Sequence, residues 1–180
     1  PLQALLALIV SLSLQIAVNY SNDYSDGIRG TDNDRIGPSR ITAGGLAKPV
    51  QVKSAAFISF SAAAFAGLGL AMTTSWWLIA VGAISITAAW GYTGGKNPYG
   101  YMGLGELFVF IFFGLVATVG SFYVQVDAIT GKAILAGVIV GSLACAILVI
   151  NNVRDRAKDE VAGKLTLAVR LGDKRSRIIY

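Results

Sequence analysis

The residues in this sequence best suited to chemistry are oxygen donors gathered at two places. Asn19, Asn22, Asp23 and Asp26 stand at i, i+3, i+4 and i+7, so a continuous helix gathers two amides and two carboxylates on one face. Carboxylates one turn apart resist joint ionisation. A hard divalent cation bound through oxygen relieves that repulsion, and Mg²⁺ carrying a phosphate ligand suits such donors. A second cluster repeats the pattern, with Asp155 and Asp159 as i, i+4 neighbours and Asn151 one turn earlier. Two acidic walls of this kind fit a diphosphate held between them by Mg²⁺. Arg35, Arg40, Lys96, Arg154 and Lys164 lie in the same polar stretches and can neutralise the remaining phosphate charge, arginine with bidentate geometry.

Other chemistry is scarce. The chain has no histidine, which leaves no Ser-His-Asp triad, no HExxH zinc site and no haem ligand of the usual kind. The single Cys145 lies within an apolar run and has no second cysteine to pair with. A charged run beside an apolar span is ordinarily a solvated face. Here the pattern recurs at two segment ends with nothing else able to do chemistry, which points to a site. Glu160, Asp34 and Lys174 read as surface charges. A third element is Tyr92 followed by Thr-Gly-Gly and Lys96. If helix persists through the glycines, the two form an i, i+4 pair in which the lysine reaches a diphosphate and the tyrosine lines a cavity. The alternative is an interfacial tyrosine beside a snorkelling lysine.

The elements that must position these groups are apolar. Of the 180 residues 54% are hydrophobic and 14% charged, with mean hydropathy +0.63; an ordinary soluble domain carries about 25% charged residues. A net charge of +5 could suggest nucleic acid, but the basic residues crowd the ends of apolar segments and offer no groove-reading surface. A membrane span needs about 20 mainly apolar residues, and stretches 1–20, 50–72, 76–92, 104–126 and 133–150 qualify. They are continuously apolar, where a barrel strand would alternate over about 10 residues. The expectation is an all-α, multi-pass transmembrane bundle with five helices in this chain. Gly137 and Gly141 match GxxxG, a close-packing motif, and carry no oligomer claim.

Five helices put the connections after the first, third and fifth on one side. Of the 15 Lys and Arg residues, all but Lys132 fall on it. The positive-inside tendency makes that side cytoplasmic and an integral location in a bacterial plasma membrane the expectation. Trp76 and Trp77 suit an interfacial anchor on the opposite side.

Together these elements resemble the UbiA superfamily of intramembrane prenyltransferases. Asn22, Asp23 and Asp26 match its NDxxDxxxD signature up to the last position, where Gly30 stands and Asp32 follows two residues later; Asp155 and Asp159 match DxxxD, and Tyr92 and Lys96 match YxxxK. The form NDxxDxxxGxD resembles the subgroup whose acceptor is 1,4-dihydroxy-2-naphthoate, as do residues 101–106, 113–114, 159–164 and 166–172. The resemblance implies Asp32 as a further metal ligand beside Asn22, Asp23, Asp26, Asp155 and Asp159, with Mg²⁺ as cofactor. It implies a polyprenyl diphosphate and an aromatic acceptor as substrates, the tail lying in the lipid bilayer. The product would be demethylmenaquinone, with loss of CO₂ and diphosphate. Family members have about nine helices around a cavity; the chain is expected to be one domain, a fragment covering the second to sixth of them. A different aromatic acceptor such as 4-hydroxybenzoate is the nearest alternative. A transporter, the non-enzyme alternative, calls for ionisable residues near helix midpoints; Glu106, near a segment start, is the closest approach to that. Asp23, Asp26 and Gly27 also open the DxxDG signature of the CDP-alcohol phosphotransferases, which then fails at Gly30 and Thr31.

Overall fold

The computed structural model describes residues 1–31 and 39–180. They form helices α1 (Leu2–Arg29), α2 (Pro49–Thr73), α3 (Leu78–Gly91), a 3₁₀ turn (Tyr99–Met102), α4 (Gly105–Val109), a π-helical stretch (Phe110–Val119), α5 (Gly120–Val126), α6 (Gly131–Val161) and α7 (Leu167–Ile179). No strand occurs among the described residues. The stretch Gly105–Val126 is one continuous rod, and with α1, α2 and α6 it makes four helices long and apolar enough to cross a membrane. The third expected span is shorter: α3 has 14 residues, about 21 Å at 1.5 Å per residue, against a hydrocarbon core of about 30 Å. Trp76 and Trp77 stand in a turn ahead of it, which shortens the helix from its front.

Two helices run past their apolar limits. The sequence pattern ends the first segment at Tyr20 and the fifth at Ile150, yet α1 continues to Arg29 and α6 to Val161. Helix therefore carries both acidic clusters. α1 stops where Gly30 takes φ 76, a left-handed conformation open to glycine, and its N–H bonds back to the carbonyls of Asp26 and Gly27. The polar stretch after α6 also contains an element that the pattern does not announce. Thr166 caps α7 by accepting from Val169 N at 3.4 Å, and Gly172, at φ 79, kinks the helix.

Large apolar side chains point outward, with Ile58, Phe65, Ile139 and Leu143 all exposed. The interior is built from small ones. Ala17 of α1 meets Ala56 and Phe60 of α2, and Ala7, Leu70 and Val124 join α1, α2 and α5 further along. This inverted distribution fits lipid around the bundle, since hydrocarbon solvates leucine as well as a protein core does and close backbone packing holds the helices together. The π-helical stretch shows the same principle. A Cβ on its Gly114 would lie 2.6 Å from Gly141 Cα and 2.7 Å from Gly137 O, so the GxxxG pair of α6 is used inside this chain. Between α1, α3, the α4–α5 rod and α6 lies a cavity of about 930 Å³.

Candidate active site

The cavity has an apolar length and a polar end. Leu8, Leu12, Leu78, Phe108, Phe112 and Val116 line the first; Asn19, Asn22, Asp26, Arg40, Tyr92, Asn151, Asn152, Arg154, Asp155 and Lys164 line the second. The extended ends of α1 and α6 thus bring the two clusters to one space, along with three of the basic residues expected to meet phosphate.

Asp26 is held on both of its oxygens. Its Oδ1 accepts from the Tyr101 hydroxyl at 2.8 Å and its Oδ2 from Lys164 Nζ at 3.3 Å. Burial first, and then the nearby Asp26 carboxylate, hold the Tyr101 phenol well above its ordinary pKa, so it stays a donor. Thr31 Oγ1 lies 3.1 Å from the same hydroxyl. The Tyr101 ring sits beneath two cations, with the Arg29 guanidinium and Lys164 Nζ each 5.3 Å from its centroid. Asp26 is thereby fixed by α1, the 3₁₀ turn and the α6–α7 connection.

Asn22 is fixed from another direction. Its Oδ1 accepts from Thr93 Oγ1 at 2.8 Å, and Thr93 is only 1% exposed. The segment carrying Thr93 is in turn clamped to α1 by Arg29, which donates to Thr93 O and, at 2.6 Å, to Gly95 O. Asn19 Nδ2 donates to Gln15 O at 2.8 Å. Across the cavity, Asp155 takes a two-point contact from its neighbour, with Arg154 Nε at 2.8 Å and Nη2 at 2.6 Å.

Several expected residues are placed differently. Asp23 does not line the cavity: its oxygens accept from Ile41 N and Thr42 N, both at 2.8 Å. It occupies the edge of the helical stripe that faces residues 39–47, and it fastens Arg40's loop to α1. The approach there is close; a Cβ on Gly27 would meet Thr42 Cγ2 at 2.5 Å. Asp159 is buried on α6 at 6% exposure and stands outside the cavity lining, where its backbone oxygen accepts from Lys164 N at 2.7 Å. The expected helical pairing of Tyr92 with Lys96 does not form. α3 ends at Gly91, Gly94 N turns back to Trp90 O, and Gly95 takes φ 79. The glycines therefore break the helix, leaving Tyr92 in the cavity wall and Lys96 exposed away from it. Asp32 and Arg35 lie outside the described residues.

Arg29, Thr31, Thr93 and Tyr101 were not legible as site residues. Their partners are distant in sequence, and no local spacing signals them. Among the described residues no three Asp, Glu, Cys or His side chains converge as a ready metal cage. The polar end of the cavity includes the carboxylates of Asp26 and Asp155 and the amides of Asn19, Asn22, Asn151 and Asn152, and such oxygens are the hard ligands that suit Mg²⁺. Lys164 Nζ lies 3.3 Å from Asp26 Oδ2, and the set of carboxylate and amide oxygens fits a divalent cation.

Comparison with known proteins places these features in a wider group. The UbiA prenyltransferase family model matches residues 1–180. A protein of Mycobacterium tuberculosis named 1,4-dihydroxy-2-naphthoate octaprenyltransferase is 54% identical over 99% of this chain and 61% of its own length. The protein of that name from Escherichia coli K12 is 42% identical over 98% of the chain and 60% of its own length. Chicken UbiA prenyltransferase domain-containing protein 1 is 26% identical over 96% and 52%. The chain thus spans about 60% of the length of the first two relatives. No solved structure matches.

Proposed function

The chain belongs to the UbiA prenyltransferase family, and from that premise we propose that it forms the diphosphate-binding part of an integral membrane enzyme. The enzyme transfers a polyprenyl group from its diphosphate to 1,4-dihydroxy-2-naphthoate. The immediate products are the hydroquinone form, demethylmenaquinol, with CO₂ and diphosphate; demethylmenaquinone follows only on a separate two-electron oxidation. The observation that carries this reading is a single cavity with Asp26 and Asp155 at its polar end and a long apolar wall beyond them. The names of the relatives support the acceptor.

Arg40, Arg154 and Lys164 bind the diphosphate oxygens, and Asn22, Asp26 and Asp155 are the side chains that would hold Mg²⁺. When bound, the cation adds positive charge to the leaving diphosphate, which lowers the cost of breaking the allylic C–O bond. The bond's electron pair leaves with the diphosphate. An electron-rich naphthoate ring then attacks the allylic carbon without a covalent enzyme intermediate, and the ring carboxyl departs as CO₂. The protein's work is orientation and exclusion of water that would otherwise capture the allylic carbon; Phe108, Phe112 and Val116 provide the dry wall. Tyr101 and Lys164 hold Asp26 in one orientation throughout. The basic side is cytoplasmic, in a bacterial plasma membrane.

The test uses membranes containing the full-length protein, a radiolabelled polyprenyl diphosphate, Mg²⁺, and either dihydroxynaphthoate or 4-hydroxybenzoate. Lipid-soluble product is expected with the naphthoate and should vanish with EDTA or Asp26→Ala. Product only with hydroxybenzoate overturns the acceptor, and product indifferent to EDTA overturns the metal.

A further inference from the structure

Glu106 is an ionisable residue that the proposed mechanism does not use. It lies in the first turn of α4, where backbone N–H groups favour an anion. Its Oε1 accepts from Asn152 Nδ2 at 2.9 Å across the helix interface. Its Oε2 is buried and accepts no hydrogen bond from the described residues. One turn of α4 is tied to α6 twice, because Cys145 Sγ also donates to Glu106 O at 3.1 Å. A buried carboxylate oxygen without a partner is costly, and a leucine of similar volume would avoid the cost. Asn152 lies in the cavity wall beside Asn151 and Asp155, whereas Glu106 stands behind it.

We propose that Glu106 is a positioning residue for the diphosphate site: by holding Asn152 Nδ2 from behind, it leaves the Asn152 carbonyl oxygen as the edge presented to a cation–diphosphate complex. This rests on the prenyl-diphosphate reading above. An amide free to flip presents a donor or an acceptor with equal ease, and a cation accepts only the oxygen. Glu106 removes that ambiguity. Asn152 thereby joins Asn151 and Asp155 as an oxygen donor of the second wall, beside Arg154. Groups behind a metal ligand commonly change cation affinity 10- to 100-fold when removed.

The experiment measures Mn²⁺ binding by electron paramagnetic resonance in the presence of inorganic diphosphate, using purified full-length protein in detergent, with melting temperature recorded in parallel. Glu106→Leu and Asn152→Ala should each weaken Mn²⁺ binding by about 10-fold, and the double variant should be no worse than the weaker single one. Glu106→Gln retains an acceptor for Asn152 and should stay within about 3-fold of wild type. The proposal is overturned if the two single losses multiply, or if Glu106→Gln loses as much as Glu106→Leu. A lowered melting temperature with unchanged Mn²⁺ affinity also overturns it. If Glu106→Leu fails to fold, Asn152→Ala and Glu106→Gln still decide, since a loss in the second equal to the first means that charge, not orientation, is what matters. Wild-type protein that binds no Mn²⁺ with diphosphate overturns the prenyl-diphosphate reading as well; wild-type binding unaffected by Glu106→Leu overturns this inference alone.

Discussion

Asp23 and Asp26 stand one turn short of each other on the same helix and have different work. Asp26 faces the cavity, and Asp23 holds the loop that carries Arg40. Asp23→Ala is therefore expected to raise KM for the prenyl diphosphate by about 10-fold and to cost roughly 2 kcal/mol of stability, as charge-assisted hydrogen bonds do. The apparent Mg²⁺ affinity should stay unchanged; a loss of that affinity with KM intact would make Asp23 a metal ligand after all. Tyr101 gives a pH prediction. Its phenol is raised in the folded state by burial and then by Asp26, so its contribution is fully present below the ordinary phenol pKa of about 10 and is lost as pH rises beyond it. Tyr101→Phe should lose the hydrogen bond at neutral pH, yet show a shallower fall in melting temperature between about pH 9.5 and 11.5 than wild type. Parallel curves would mean that this phenol does not couple to folding. At this scale the sequence was informative for Asn22, Asp26, Asp155 and Lys164, because a chain without histidine leaves few groups able to do chemistry. It was silent on Tyr101 and Thr93, whose partners lie 75 and 71 residues away.

Helices α1 and α6 run on through the clusters because tertiary contacts, not local propensity, hold their polar turns. Asp and Asn are poor helix formers when isolated. Hydropathy marks where a segment leaves the bilayer and is blind to helix that continues in water, so the elements were legible but their ends were not. α7 is hidden for a related reason: it is short, its middle is charged and its glycine kink interrupts the period. The seam between the π-helical stretch and α6 is the sharpest steric constraint on the bundle. Gly141→Leu is expected to destabilise the protein by at least about 3 kcal/mol, the upper end for overpacking, because its Cβ meets backbone that cannot rotate away. Gly67→Ala, with nothing within 4 Å, should be stabilising by about 0.5–1 kcal/mol through helix propensity. Thermal denaturation of the two proteins in detergent checks both, and equal melting temperatures would remove the seam from any role in stability.

The whole molecule sorts its charges by side and its apolar bulk by outward direction. The polar end of the cavity and the exposed Lys96 share one side, with Lys132 at the other end of the bundle. In a Cys145→Ser background, Lys132→Cys is expected to react with an impermeant maleimide in intact cells, and Lys96→Cys only in inside-out membrane vesicles. Labelling of both from one face would discard the proposed topology. The number of bundle elements was legible from hydropathy. What it misjudged was α3, whose 14 helical residues fall short of a full crossing because the tryptophan turn consumes the first of its apolar residues.

The Asp26–Lys164 pair joins positions 138 residues apart. At translation rates of about 5–20 residues per second, Asp26 leaves the ribosome roughly 7–28 s before its counterion exists. During that interval the C-terminal turns of α1 have neither Lys164 nor, for most of it, Tyr101. Until Tyr101 and Lys164 arrive, the Asp26 carboxylate is left to water. The pair can therefore close only when the end of α6 has emerged, and a chain stopped between α2 and α6 carries Asp26 without Lys164.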